Sequence, residues 1–558
     1  MIALLAPLGL LAQAQAETPA IQGPEIVWSL ILPFIVLAVG GVFLVTITSL
    51  VPVLRGGGFP AAFTGLVAVV AGALLVPVWN RVSRPAAQGG EGPRLVVANA
   101  VGVDGFTVFV TAVICVAVFF AAMLLDEYLR REHLDGPEWY VLLLMSASGG
   151  VLLASAEDLI VSFLGLEILS IAAYVMAALH LRRTDSQEAG FKYFLLGALS
   201  SAFFLYGVAL VYGATGSTAL RKIALAGENG AGLSPRTESS LILVGMALLL
   251  VGFAFKVSAV PFHLWTPDVY QGSPTPVVAY MASGVKVAGF AGLVRVFWVG
   301  FGSYVSDWQP LIAGLAVLSL LLGSLLALAQ TNVKRMLAYS SISHAGFMLV
   351  AVHAAATSNS SGLLGSEALL FYLLAYTIMV AGTFGVVTII AGQGDGHHEI
   401  DDYRGLSRRY PVLAAMMAVL LFSQAGVPFT SGFFAKFRVI VAAAEDQSYV
   451  LAGIAMLAAV VSAVLYLRIV VSMFLIDTGD THAGDGADAV PSDERPDLAA
   501  GPGGLATVVA VATVQAPALS AVIAVAVAAV VTVVLGLLPD LGGGVLADAA
   551  EALNSLRQ

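Results

Sequence analysis

Gly252-Phe-Ala-Phe-Lys256-Val-Ser-Ala-Val-Pro261-Phe-His263-Leu-Trp265-Thr-Pro267-Asp268-Val-Tyr270-Gln-Gly272-Ser-Pro274-Thr-Pro276 starts as the end of an apolar run and is then cut by proline. Proline removes a backbone donor and breaks the helical ladder, so the run divides at Val260-Pro261-Phe262. The same cut recurs at Val427-Pro428-Phe429, preceded by Gly426 and followed by Gly432, and each broken segment holds one lysine, Lys256 or Lys436. A single such proline is ordinary in a membrane span. Two in matching places, each with a lysine, are the pattern of inverted repeats that line an ion path at the bilayer midplane.

Around these two breaks the chain is apolar. Of 558 residues, 59% are hydrophobic and 11% charged, with mean hydropathy +0.94. A soluble domain carries about 25% charged residues, so the main solvent of this chain is lipid. Runs of about 20 apolar residues cross a ~30 Å hydrocarbon core. They occur near 26–51, 59–79, 103–125, 139–156, 158–180, 190–214, 239–265, 275–300, 309–329, 333–356, 367–392, 411–441, 449–476 and 517–539. The expected fold is an all-α polytopic membrane protein of about fourteen spans. Spans 4–8 and 9–13 form two five-helix repeats; since five is odd, the second repeat inserts upside down.

The expected domains are 1–138, with three spans and a short outer hairpin, 139–300 and 301–477, the two repeats, 478–516, a polar acidic linker, and 517–558, the last span and tail. Arg55, Arg130, Arg131, Arg182, Arg183, Lys334, Arg335, Arg404, Arg408 and Arg409 follow odd-numbered spans. That bias puts those connections in the cytoplasm and both termini outside. Arg81, Arg84, Arg94, Arg221, Lys222 and Arg236 lie on the other side. Met1–Ala16 has the apolar run of a signal peptide without its basic start, and otherwise reads as an uncharged lead-in to the first span. The net charge of −10 is concentrated in connections such as 477–497, which argues against a nucleic-acid partner. Cys115 is the one cysteine, so neither a disulfide framework nor a thiolate metal site is built within the chain.

Buried ionisable residues are the candidate machinery, since such groups in spans mark ion pathways. Glu167 is mid-span in Phe163-Leu-Gly-Leu-Glu167-Ile-Leu-Ser170, Lys256 precedes the first break, and Lys286 is central in span 8. The common depth of Glu167 and Lys256 suggests a switchable ion pair. Lys436 follows the second break and, beside Arg438, also fits an interfacial position reached by its long stem. Lys192 and Glu188, four apart, fit a surface pair as well as a relay position. His344 is a buried imidazole able to pass protons or to serve as a hydrogen-bonded core residue. Arg295 lies nearer a span end and is read as reaching the interface. His397-His398-Glu399 lacks further ligands at helical spacing, so no metal is expected. No phosphate loop, haem-ligand pair or nucleophile triad is present.

The 252–276 stretch, together with Gly284-Val-Lys286-Val-Ala-Gly-Phe290 and Thr331-Asn-Val-Lys-Arg-Met-Leu-Ala-Tyr-Ser-Ser-Ile-Ser-His344-Ala-Gly-Phe347, resembles the antiporter-like subunits of proton-pumping NADH:quinone oxidoreductase, complex I. Within that family the pattern is similar to the N branch; the M branch typically has glutamate where this chain has Lys436. The resemblance covers roughly spans 4–13. It implies a fourteen-helix proton channel in the membrane arm of a bacterial plasma (inner) membrane complex, beside the sister antiporter-like subunit M and the small subunits K and J. It also implies that Glu167, Lys256, Lys286 and Lys436 carry protons, with Lys192 and His344 as further candidates and Pro261 and Pro428 as the helix breaks. This chain would hold no cofactor; flavin, iron–sulfur clusters and quinone would belong to partner subunits. The competing readings are a subunit of a monovalent cation/proton antiporter, which shares the fold, and an inert membrane scaffold.

Overall fold

The computed structural model describes residues 26–56, 58–83, 89–134, 136–229, 235–357, 360–475, 517–541 and 543–555. Met1–Ala16 and the acidic linker 478–516 lie outside them. The chain opens with α1 (Trp28–Leu50) and α2 (Phe59–Val82). A two-stranded hairpin follows, β1 (Arg94–Val96) antiparallel to β2 (Val101–Val103), with Leu95 opposite Gly102. Next come α3 (Gly105–Arg131), α4 (Glu138–Ala154), α5 (Leu159–Ala178), α6 (Thr184–Thr215), α7 (Leu220–Asn229) and α8 (Pro235–Val257). After the first break are α9 (Trp265–Gly272), α10 (Thr275–Tyr280) and α11 (Lys286–Arg295). The second half contains α12 (Val305–Leu328), α13 (Val333–Ala355), α14 (Ser360–Ile390), the single turn α15 (Leu406–Arg409), α16 (Pro411–Ala425), α17 (Ser431–Glu445) and α18 (Tyr449–Phe474). Two last helices, α19 (Leu519–Leu537) and α20 (Gly543–Ser555), follow the linker.

Among the described residues twelve helices are long and apolar enough to cross a membrane. Two shorter apolar helices, Glu138–Ala154 and Pro411–Ala425, stand at two further expected positions. Side-chain caps fix several starts: Asp104 accepts from Thr107 N at 2.8 Å, Asp158 from Ile160 N at 2.8 Å and Asn332 from Arg335 N at 3.1 Å. The rod Thr275–Gly300 is buried along its whole length, while α1, α2, α6, α12 and α18 show large apolar side chains outward. That inside-out distribution is the one lipid selects, because apolar surface facing acyl chains costs nothing. The rod packs on α3, α4, α8 and α14; α13 packs on α12, α14 and α17; α19 packs on α14. The buried rod holds two π-helical turns, Val296–Gly300 at its end and Met281–Val285 directly before Lys286. Such turns widen a helix locally and recur at functional positions.

Candidate functional site

The two breaks have related geometry. α8 ends at Val257, Ser258 takes a left-handed φ of 64°, and Val260 N donates to Ser319 Oγ at 2.9 Å before the helix resumes at Trp265. α16 ends at Ala425, Gly426 and Phe429 take φ of 91° and 66°, and α17 begins at Ser431. The second gap requires two glycines. Gly426 is left-handed and its missing Cβ would lie 3.2 Å from Lys436 Cδ; a Cβ on Gly432 would collide with the Ser423 carbonyl.

Each break places a lysine against neutral oxygens. Lys436 Nζ donates to the carbonyls of Gln424 and Ala425 at 2.8 and 3.0 Å, the last acceptors of the half-helix α16. Those carbonyls lost their helical donors at the break, so Lys436 satisfies them. This settles its position: Lys436 is 5% exposed and faces the break, and is not reaching an interface. Lys256, in the last turn of α8, donates to Ser170 Oγ at 2.8 Å and Tyr193 OH at 3.4 Å, with the Tyr174 and Tyr193 rings beside it. Lys286, the first residue after the π turn, donates to the Ser341 carbonyl at 2.8 Å and to its hydroxyl. Among the described residues none of the three lysines lies within 4.0 Å of a carboxylate.

α13 joins two of them. Ser341, His344 and Phe347 recur at i, i+3 and i+6, a spacing that lines one helical face over ~9 Å. Ser341 holds Lys286, and the Phe347 ring lies 5.2 Å from Lys436 Nζ. His344 stands between, its Nδ1 2.7 Å from Tyr372 OH and its Nε2 3.0 Å from Tyr466 OH, which also meets Ser340 Oγ. The row therefore reads Lys286, His344, Lys436, and Lys256 joins it at the Lys286 end, where its stem packs against Gly289 of α11.

Glu167 is placed differently from the expectation. It is half-buried, it accepts from Ser201 Oγ of α6, and it makes no ion pair with Lys256. The lysine is held one turn further along α5, at Ser170. Lys192 lies off the row and is 42% exposed, bonded to Glu188 at 2.7 Å and Asp268 at 3.1 Å. Asp268 in turn accepts from Arg335 of α13 at 2.6 Å, and between α6 and α9 beside it lies a charged cleft of about 240 Å³.

Two buried charge clusters were missed. Arg295 is 0% exposed and does not reach an interface: its Nη1 lies 2.6 Å from Asp104 and 2.9 Å from Glu157, and its Nε donates to the Ala154 carbonyl at 3.1 Å. The correction follows from packing, since both carboxylates cap or precede neighbouring helices and converge on the buried rod. At the opposite end Asp395, 0% exposed, meets Thr275 Oγ1 at 2.7 Å, Arg183 at 2.9 Å, His398 at 3.2 Å and Lys334 at 3.3 Å. Burial pushes its carboxyl up, but Lys334, His398 and Arg183 outweigh this and hold it well below the ordinary carboxylate range. His398 thus turns to Asp395, while His397 lies 3.5 Å from Asp402.

Residues 156–462 match the family described as NADH:quinone oxidoreductase/Mrp antiporter. The chain is 39% identical over 446 residues to NADH-quinone oxidoreductase subunit N of Trichlorobacter lovleyi, covering 80% of this chain and 87% of that one. It is 38% identical over 498 residues to the subunit N of a Parafrankia species, covering 83% and 88%. A chain of respiratory complex I from Thermus thermophilus with bound aureothin superposes with TM-score 0.71 at 32% identity, covering 92% of this chain and 99% of that one. A chain of the Mrp complex from a Dietzia species shares the fold with TM-score 0.72 at 22% identity, covering 96% and 98%.

Proposed function

The chain belongs to the NADH:quinone oxidoreductase/Mrp antiporter family, as a counterpart of complex I subunit N, and we propose that it moves protons through the row Lys256, Lys286, His344, Lys436 while redox chemistry proceeds in other subunits. The observation that carries this reading is the set of three buried lysines bonded only to neutral oxygens. A buried ammonium without a counter-ion is costly in a low-dielectric interior. A purely structural amine would be matched to a carboxylate, as Lys334 is to Asp395. Lysines left on hydroxyls and carbonyls are suited to gain and lose a proton. His344, held between two tyrosine hydroxyls, offers both ring nitrogens to a relay.

In this reading Glu167 and Lys192 serve the α5–α6 side, where a charge on a neighbouring subunit biases Lys256 through the Ser201 and Ser170 hydroxyls. The chain sits in a bacterial plasma (inner) membrane with its Asp395 end in the cytoplasm and its termini outward, beside subunits M, K and J. Spans 4–8 and 9–13 act as two inverted repeats, each bent at its proline, and the fourteen-span count includes α4 and the pair α16–α17. The Mrp-type alternative rests on a likeness of fold at 22% identity, against relatives near 40% that bear the subunit N name. A scaffold would not need unmatched buried lysines.

The direct test is Lys286→Met in verified, fully assembled complex in inverted vesicles, with the exposed Lys222→Met as control. Lys286→Met is expected to lower NADH oxidation and proton uptake together by at least fivefold, and Lys222→Met to change neither. Parent-like proton uptake in Lys286→Met would refute the row. The chain purified alone is expected to oxidise no NADH and reduce no quinone, because flavin and iron–sulfur clusters reside in its partners. A visible cofactor spectrum in that preparation would overturn this.

A further inference from the structure

The helices that carry His344 and Lys436 meet again beyond the row. His353, in the last turn of α13, has Nδ1 3.4 Å from Oδ2 of Asp446, the residue that ends α17. The side chains are 12% and 6% exposed. Asp446 accepts from Ser448 Oγ at 3.2 Å, and Gln309 Nε2 of α12 donates to the His353 carbonyl at 3.1 Å. His353 Nδ1 is buried and has no hydrogen-bond partner among the described residues. Beside the pair an open cavity of about 540 Å³, lined by His353, Gln447, Ser448 and Tyr449 as well as by α12, reaches the surface.

His353 is nine residues beyond His344 and Asp446 ten beyond Lys436, or ~14–15 Å along each helix. Both helices run from the row to the same pair, at the end of α13 opposite Lys334 and the Asp395 cluster. The geometry points to His353 and Asp446 as the site where a proton leaves the row for water on that side of the membrane. This rests on the proton-translocation reading above.

The step balances simply. The proton given up by Lys436 is carried by water to His353, whose imidazole becomes an imidazolium facing the Asp446 carboxylate. It then passes to water in the cavity, the imidazole is restored, and no electron moves. Between His344 and His353 the side chains Ala345 to Val352 are buried and apolar apart from Gly346, which keeps row and exit from exchanging protons by direct contact. Asp446 is the charged group that acts on His353 among the described residues; the polar groups nearby, Gln309, Ser448 and Thr357, are neutral. Burial holds the Asp446 carboxyl above its ordinary range against the opposing pull of His353, which suits a partner that exchanges charge with the imidazole.

The experiment uses assembled complex in inverted vesicles, where this face lines the lumen, with His353→Gln, Asp446→Asn, Asp446→Glu and Lys286→Met compared at lumenal pH between roughly 5.5 and 8.5, bracketing the imidazole range. His353→Gln and Asp446→Asn are each expected to slow proton uptake at least threefold and to flatten its dependence on lumenal pH. Asp446→Glu is expected to restore most of both, an effect that loss of packing would not show. Parent-like uptake and pH dependence in His353→Gln and Asp446→Asn, with uptake lost in Lys286→Met, would overturn the exit site while leaving the row standing. Parent-like uptake in Lys286→Met would overturn the row and the exit with it.

Discussion

Asp395→Asn is expected to strip most of the folded chain from the membrane. Asparagine keeps the hydrogen bond from Thr275 but leaves Lys334 and Arg183 facing one another around a neutral amide. Removing one partner of a buried ion pair costs about 3–5 kcal/mol because the remaining charge is stranded. Here two cations are stranded, with Arg131 at 4.0 Å as a third. Lys334 donates to the Ser273 carbonyl as well, so the damage spreads to the turn that starts α10. Asp395→Glu keeps the charge but places a longer side chain on a backbone with φ 50°, and an intermediate loss is expected. The readout is the recovery of monodisperse chain in detergent and its thermal midpoint. An unchanged midpoint for Asp395→Asn would show that the cluster adds little. The pH sign is also fixed. Because the folded carboxyl is held below its usual range, its contribution is complete above the unfolded value near ~3.9 and fades only as pH falls through the folded value. Between about pH 5 and 9 this carboxyl therefore adds no slope to the stability.

The cluster also shows what a sequence hides. The apolar runs were legible because the bilayer sets their length, and the breaks were legible because proline and glycine act locally. Lys256, Lys286 and Lys436 stood out as charges in lipid-length runs. Asp395, by contrast, sits in Gly392-Gln-Gly394-Asp-Gly396, which reads as a solvated turn; its partners come from positions 131, 183, 275, 334 and 398. Only His398, three residues on, is local; nothing in the sequence links the other four segments. Depth in a span is readable, but azimuth is not. Glu167 and Ser170 lie three residues apart, so they differ by ~60° around α5. That difference gives Lys256 to the serine and Glu167 to α6. Ser341–His344–Phe347 had a visible helical period, yet which lysine each end would meet depended on the packing of α11 and α17 against α13.

Arg295→Met is expected to rival Asp395→Asn in severity, although a residue near a span end would ordinarily tolerate that change. Its guanidinium spans Asp104, Glu157, Thr107 and the Ala154 carbonyl, with the Phe106 ring 5.4 Å away. Methionine fills much of the volume but leaves two buried carboxylates side by side, one of them the cap of α3. The cost is again about 3–5 kcal/mol, since Asp104 loses its counter-charge and Glu157 keeps only Arg221 at 3.5 Å. Arg295→Lys is expected to recover only part, because an ammonium cannot reproduce the planar fork that bonds several acceptors at once. Glu157→Leu supplies the discriminating variant. Alone it leaves Arg295 still paired with Asp104; combined with Arg295→Met it removes one of the two stranded acids. The double variant should therefore be less damaged than the sum of the singles, by a coupling of roughly 1–3 kcal/mol. Thermal midpoints of the purified parent, singles and double close this cycle. Simple additivity would mean that Arg295 and Glu157 are neighbours without interaction, and the loss in Arg295→Met would then fall on the Asp104 pair and the packing against Phe106.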